Sequence, residues 1–299
     1  MKQEQNSLVS IAIITYNQKE FLRECIESCL EQDYKKTEIV VADDGSTDGT
    51  QDMLREYQKK YPGKFVLRLS RENQGITKNS NLAHFACSGK YIAWMGGDDL
   101  MLPGKISAQV EFMEKNDDCV ICYHDLIVFD NKSGKKLHLF SEKNSPRDGD
   151  VATLIKYGCF NGACSTMIRR NAAPEGGFDE RLYVASDWLY WVECLASGGQ
   201  VNFINKILGK YRRHDKNVTN KNGKLSQGNI DHLNTCNLII AKYPVFASQA
   251  FYAYAMNVRS GRFQMPYVQA LYFSIKVAKD VRALVALTLY FCSFGRFKL

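Results

Sequence analysis

Apolar residues follow two alternating rhythms along the first hundred positions. Residues 8–15 form a nearly unbroken, β-rich apolar run. Asn17-Gln-Lys-Glu20 then carries a helix-start signature, and Phe21, Leu22, Cys25, Ile26, Cys29 and Leu30 recur at helical spacing. The alternation continues with a strand over residues 38–42, a helix marked by Met53, Leu54 and Tyr57, a strand over 65–69, a helix over 76–87 and a strand over 91–95. Strands that alternate with helices predict an α/β chain whose mostly parallel sheet is covered on both faces. Such sheets bind ligands beyond the carboxyl ends of their strands, and three polar segments fall there: residues 15–17, 43–48 and 96–99.

The third of these segments poses the chemical question. IAWMGGDDLMLPGK runs from apolar residues through two glycines into Asp98 and Asp99, two like charges side by side. A divalent cation would relieve their repulsion, and oxygen ligands favour Mg2+ or Mn2+. The alternative is a helix cap ahead of Pro103. Composition narrows the partner: with 299 residues, 45% hydrophobic content and a net charge of +7, the chain buries a sizeable core and suits an anionic partner, without the charge of a dedicated nucleic-acid binder. Its ten cysteines lie within apolar patterns, and Cys119 and Cys122 sit in the strand-like CVICYHDLIVF with no second pair at zinc-ligand spacing. Core thiols in a reducing cytoplasm are expected, since MKQEQNSLVS also lacks a signal-peptide core.

The wider pattern resembles the family 2 glycosyltransferases, inverting enzymes with a GT-A type fold. The resemblance rests on VSIAIITYNQKEFLRECIESCLEQ, EIVVADDGSTDGT, NQGITKNSNLA, GKYIAWMGGDD, FDERLYVASDW and YRRH, which span residues 9–214 in the family's order. It implies a Rossmann-like nucleotide-binding half that holds a nucleotide-sugar donor, a UDP-sugar by preference. Tyr16 and Asp44 would hold the base, with Thr15, Asn17 and Asp43 beside them; Lys78 and Arg212 would meet phosphate. Asp98 would lie near the ribose, Asp99 on the metal, and His214 over the metal or diphosphate. Asp187 matches the catalytic base, although Ser186 stands where many members have Glu. Without the resemblance, Asp187 reads better as a helix N-cap or first-turn carboxylate, whose lowered pKa would make a weak base. Asp48 reads as a turn and helix cap.

Residues 215–228, rich in Asn, Lys and Gly, read as a mobile lid. The resemblance assigns residues 1–220 to a catalytic domain and leaves 221–299 as a helical region, aromatic and cationic, suited to docking at the inner membrane face, capping the domain or pairing with a second copy. The implied acceptor is a glycan or lipid-linked glycan of a bacterial surface polysaccharide. A non-catalytic nucleotide-sugar binder with the same fold is the rival reading. A nucleotidyltransferase is disfavoured by the absence of a GxxxxGK[ST] signature.

Overall fold

The computed structural model describes residues 7–215, 217, 226–259, 265–293 and 296. In chain order the elements are β1 (Val9–Thr15), α1 (Lys19–Leu30), β2 (Thr37–Asp43), α2 (Thr50–Lys60), β3 (Phe65–Leu69), α3 (Ile76–Ala86), β4 (Tyr91–Gly96), β5 (Leu100–Met101), α4 (Lys105–Lys115), β6 (Cys119–Asp130), β7 (Lys136–Leu139), α5 (Phe140–Lys143), α6 (Val151–Tyr157), β8 (Met167–Arg169), α7 (Asp187–Cys194) and β9 (Gln200–Arg213). Four further helices follow: α8 (Gln227–Lys242), α9 (Ala247–Asn257), α10 (Tyr267–Ala278) and α11 (Val281–Cys292). The expected alternation is present, and the first four strands end within a residue or two of their expected positions.

These elements build one nine-stranded sheet in the order β3-β2-β1-β4-β8-β6-β9-β5, with β7 on β6. β1 to β4 pair in parallel, as do β6 and β9; the short β8 runs antiparallel between β4 and β6, and β5 and β7 run antiparallel at their partners. Register sets the geometry of the open end. Thr15 lies level with Asp43, and Ile14 with Gly96, so the loops after β1, β2 and β4 leave the sheet together. Apolar clusters cover both faces, one including Ile11, Ile26 and Ile106, the other Trp94, Trp188 and Trp191. Cys119 and Cys122 are buried free thiols on β6, as their apolar setting predicts.

α1 starts where its apolar spacing begins, but by a different device from the one its sequence suggests. Asn17 adopts a left-handed backbone (φ 51°) and makes no cap; its Oδ1 accepts from the Thr47 amide at 2.8 Å, while its own amide donates to Ser46 Oγ at 2.7 Å. The cap comes across the sheet end from Asp48. Its carboxylate accepts from Lys19 N–H at 3.0 Å and from Thr50 N–H at 3.1 Å, anchoring the starts of α1 and α2 at once. The loops after β1 and β2 are thereby tied to each other.

Candidate active site

Beyond the level strand ends lies a cavity of about 670 Å³, within the range of small-molecule sites. Thr15, Tyr16, Asn17, Asp44, Asp98, Asp99 and Asp187 all line it. Tyr16 presents a ring 45% exposed at the wall, a surface on which a planar base can stack. Asp44 is buried, and its two oxygens accept from the amides of Gln74 and Gly75 at 2.8 and 2.9 Å, which fixes the loop ahead of α3. Burial raises its carboxyl above the usual range, against those two donors. Thr15 Oγ1 and Asn79 Oδ1 line the cavity, buried and without a partner, as is Trp191 Nε1. Unsatisfied groups of this kind are costly unless a ligand or water meets them.

The Asp98-Asp99 turn is built from both sides. Arg212 on β9 donates its amide to Asp99 Oδ1 at 2.9 Å and its Nε to the Asp98 carbonyl at 2.7 Å. Its remaining nitrogens reach Asn131 and Glu24, and the guanidinium lies between the rings of Phe21 and Phe129 at 4.8 and 5.0 Å. So committed, Arg212 supports the turn from behind. Asp98 Oδ2 is met by His214 Nε2 at 3.0 Å and by Asn217 Nδ2 at 3.1 Å. Burial, and then the charge of Asp98, hold the Asp99 carboxyl well above the ordinary range, more than the Arg212 amide pulls it back.

The turn leaves room for a divalent cation between its two carboxylates. A side chain at Gly96 would place its Cβ 2.7 Å from Asp98 Oδ1 and 3.3 Å from Asp99 Oδ2; glycine leaves that space open, and one oxygen from each carboxylate borders it. Two hard carboxylate oxygens, around a space that any larger residue would fill, fit Mg2+ or Mn2+. No group of three acidic, His or Cys side chains suited to a metal occurs among the described residues. Substrate phosphates and water commonly complete the shell of such ions.

Asp187 opens α7 and lines the same cavity. The N-cap is Ser186, and Asp187 Oδ1 accepts from the adjacent Trp188 amide at 3.0 Å. Burial raises its carboxyl above the usual range, with the charge of His232 opposing. A first-turn carboxylate is thus no weakened base here, because desolvation outweighs the helix start. His232 comes from α8 and packs edge-on to Trp188, ring centroids 5.8 Å apart. Its neighbour Asp231, fully buried, accepts from the amides of Val184 and Ala185 at 2.7 and 3.0 Å and so holds the loop that delivers Asp187.

Four expected site residues stand outside the cavity lining: Asp43, Lys78, Arg212 and His214. Asp43 bonds Ser46 and Gln51 behind Asp44; Lys78 is exposed on α3; His214 acts on Asp98, with its ring 4.8 Å from that of Phe21. Asn79, Asn217 and His232 are site residues that the sequence reading did not single out. Asn79 had a signal, because α3 buries Thr77, Asn79, Ser80 and Asn81 where an amphipathic helix would bury apolar side chains. Most of the expected lid, residues 216 and 218–225, lies outside the described residues.

Comparison with known proteins adds an independent line. The family model described as Glycosyl transferase family 2 matches residues 10–176, ending before Asp187. An uncharacterised glycosyltransferase of Rickettsia typhi is 32% identical over 226 residues, covering 74% of this chain and 69% of its own length. An uncharacterised protein of Mycobacterium tuberculosis is 31% identical over 208 residues, and the chain spans 59% of that relative's length. Among solved structures, residues 1–349 of S. aureus TarS in complex with UDP-GlcNAc align with a TM-score of 0.68 at 16% identity, covering 96% of this chain and 88% of that one. A Pyrobaculum calidifontis mannosyltransferase, in complex with GDP-Man and Mn2+, aligns with a TM-score of 0.57 at 15% identity, covering 97% of this chain and 85% of that one.

Proposed function

The chain belongs to glycosyl transferase family 2 and has the GT-A type fold, and we propose that it is a metal-dependent inverting glycosyltransferase using a UDP-sugar. Its acceptor would be a hydroxyl of a glycan or lipid-linked glycan in bacterial surface polysaccharide synthesis. The observation that carries this reading is one cavity lined both by the Asp98-Asp99 pair around its glycine space and by the desolvated Asp187. The Mn2+-bearing mannosyltransferase and the UDP-GlcNAc-bearing TarS support the choice of metal and donor class.

Each residue then has a part. Tyr16 stacks on the uracil, and Asp44 fixes the loop beside the base and accepts its imide N–H with a lone pair left over from Gln74 and Gly75. Asp99 would hold Mn2+ or Mg2+, with Asp98 contributing an oxygen to the same space or reaching the ribose, and a bound ion would offset the negative charge of the departing diphosphate. His214 and Asn217 orient Asp98, and Arg212 holds the turn rigid. Asp187 takes the proton of the acceptor hydroxyl as its oxygen attacks the anomeric carbon from the face opposite the nucleotide. The raised pKa makes Asp187 a stronger base than an ordinary carboxylate.

Calorimetric titration with UDP, in Mn2+ and in chelator, tests the donor half. Wild-type protein binds UDP more tightly with Mn2+, whereas Asp99→Asn, which keeps the Arg212 amide bond but removes the charge, shows no gain from metal. Equal metal dependence in both proteins overturns the assignment.

A further inference from the structure

We propose that the outer face of α11 docks the protein on the surface of an anionic lipid bilayer. The helix is built the wrong way round for a soluble amphipath. It buries Ala283 and Ala286, its small residues, and leaves Val281, Leu284, Val285, Leu289 and Phe291 exposed, between 41% and 70%. At 100° per residue these five cover an arc of roughly 160° on the side opposite the two alanines. Among the described residues no helix is long and apolar enough to cross a membrane, and the twelve residues of α11 measure only about 18 Å at 1.5 Å each. The geometry is that of a helix lying in the interface plane.

Charge selects the occupant. Residues 244–299 contain seven lysines and arginines and one acid, Asp280, a net of +6. Residues 1–243 carry the other 32 basic and 31 acidic residues, a net of +1, so nearly all the chain's +7 resides in this region. The single acid is turned inward, where it bonds Arg259, accepts from Ser274 Oγ at 2.9 Å and caps α11 through the Arg282 amide at 3.0 Å. Lys276, Lys279, Arg282 and Arg296 are exposed. Apolar side chains that insert and cations that face headgroups are what an anionic bilayer rewards, while a second copy would bring two faces of the same positive sign together. The inference goes beyond the donor chemistry and holds whichever nucleotide is bound.

The test is co-sedimentation of the full chain with phosphatidylcholine vesicles, with and without phosphatidylglycerol, at low and high salt. Expected are binding to the anionic vesicles at low salt, release at high salt, a roughly fivefold lower partition for Arg282→Gln, and loss of binding for Leu284→Glu/Leu289→Glu. UDP titration of each variant, unchanged from wild type, confirms the fold and separates this result from failure of the transferase reading. Wild-type protein left in the supernatant with anionic vesicles at low salt overturns the proposal. So does a vesicle-independent dimer that Leu284→Glu/Leu289→Glu dissolves, which makes a second copy the occupant.

Discussion

At the scale of single residues, function rests on carboxylates whose surroundings differ. Asp44 spends both oxygens on backbone amides, Asp98 faces His214 and Asn217, and Asp99 and Asp187 are desolvated. For Asp187 the sign of the pH effect follows directly. Its raised pKa places the acid limb of kcat/KM above the ordinary carboxylate range, and activity falls as pH drops through that limb. The charge of His232 is what lowers the Asp187 pKa from a still higher position. Substituting His232→Gln therefore moves the acid limb to higher pH, measured as kcat/KM against pH, with UDP affinity unchanged. A limb that stays in place shows that His232 does not sense Asp187. Asp99 carries the opposite lesson, a cost to stability kept for binding. Its charge is buried against Asp98, so Asp99→Asn melts no lower than wild type in metal-free buffer by differential scanning calorimetry, although it loses metal-dependent binding.

At the scale of elements, the ends of β1, β2 and β4 form the site because parallel register brings Thr15, Asp43 and Gly96 level. Gly96 closes β4 and keeps the space between the two carboxylates open. Gly96→Ala places a methyl 2.7 Å from Asp98 Oδ1, with no left-handed backbone to forbid it. The protein folds, and its Mn2+-dependent UDP affinity drops at least tenfold in the same titration; wild-type affinity contradicts the cradle. Much of this was legible in the sequence, because strand periodicity and turn chemistry are local. The convergence of DDGST and GGDD needs only that the strands be parallel. What was not legible comes from distant segments. Arg212 has the charge of a phosphate ligand, but the partners that commit it, Phe21, Glu24, Phe129 and Asn131, lie on α1, β6 and the loop after β6. His232 reaches Asp187 from a helix that carries no motif, and β8 is three residues long, too short for any alternation to register.

At the scale of the whole molecule, apolar packing continues past residue 214, where the sequence motifs end. Cys236 and Ile239 of α8, with Ala250 and Ala253 of α9, belong to the same cluster as Trp94, Trp188 and Trp191. α10 packs on α8 and α9 in a small separate cluster around Val258 and Ala270, and α11 meets α10 in another around Leu271, Ala283 and Ala286. A chain ending at residue 259 accordingly keeps its UDP affinity, while one ending at 228 loses Ile239, worth about 2 kcal/mol of burial, along with Asp231 and His232, and fails to hold the Asp187 loop. Comparing UDP titrations and melting curves of the two truncations checks this; equal behaviour would move the break back to the end of the motifs. The central claim is that one cavity binds the donor through the Asp98-Asp99 turn and works on it through Asp187. Its most direct test is the rate of sugar transfer by Asp187→Asn from the UDP-sugar that wild type uses, under Mn2+ and at saturating donor. The account predicts wild-type UDP affinity with transfer reduced about a hundredfold or more; transfer at the wild-type rate would contradict it.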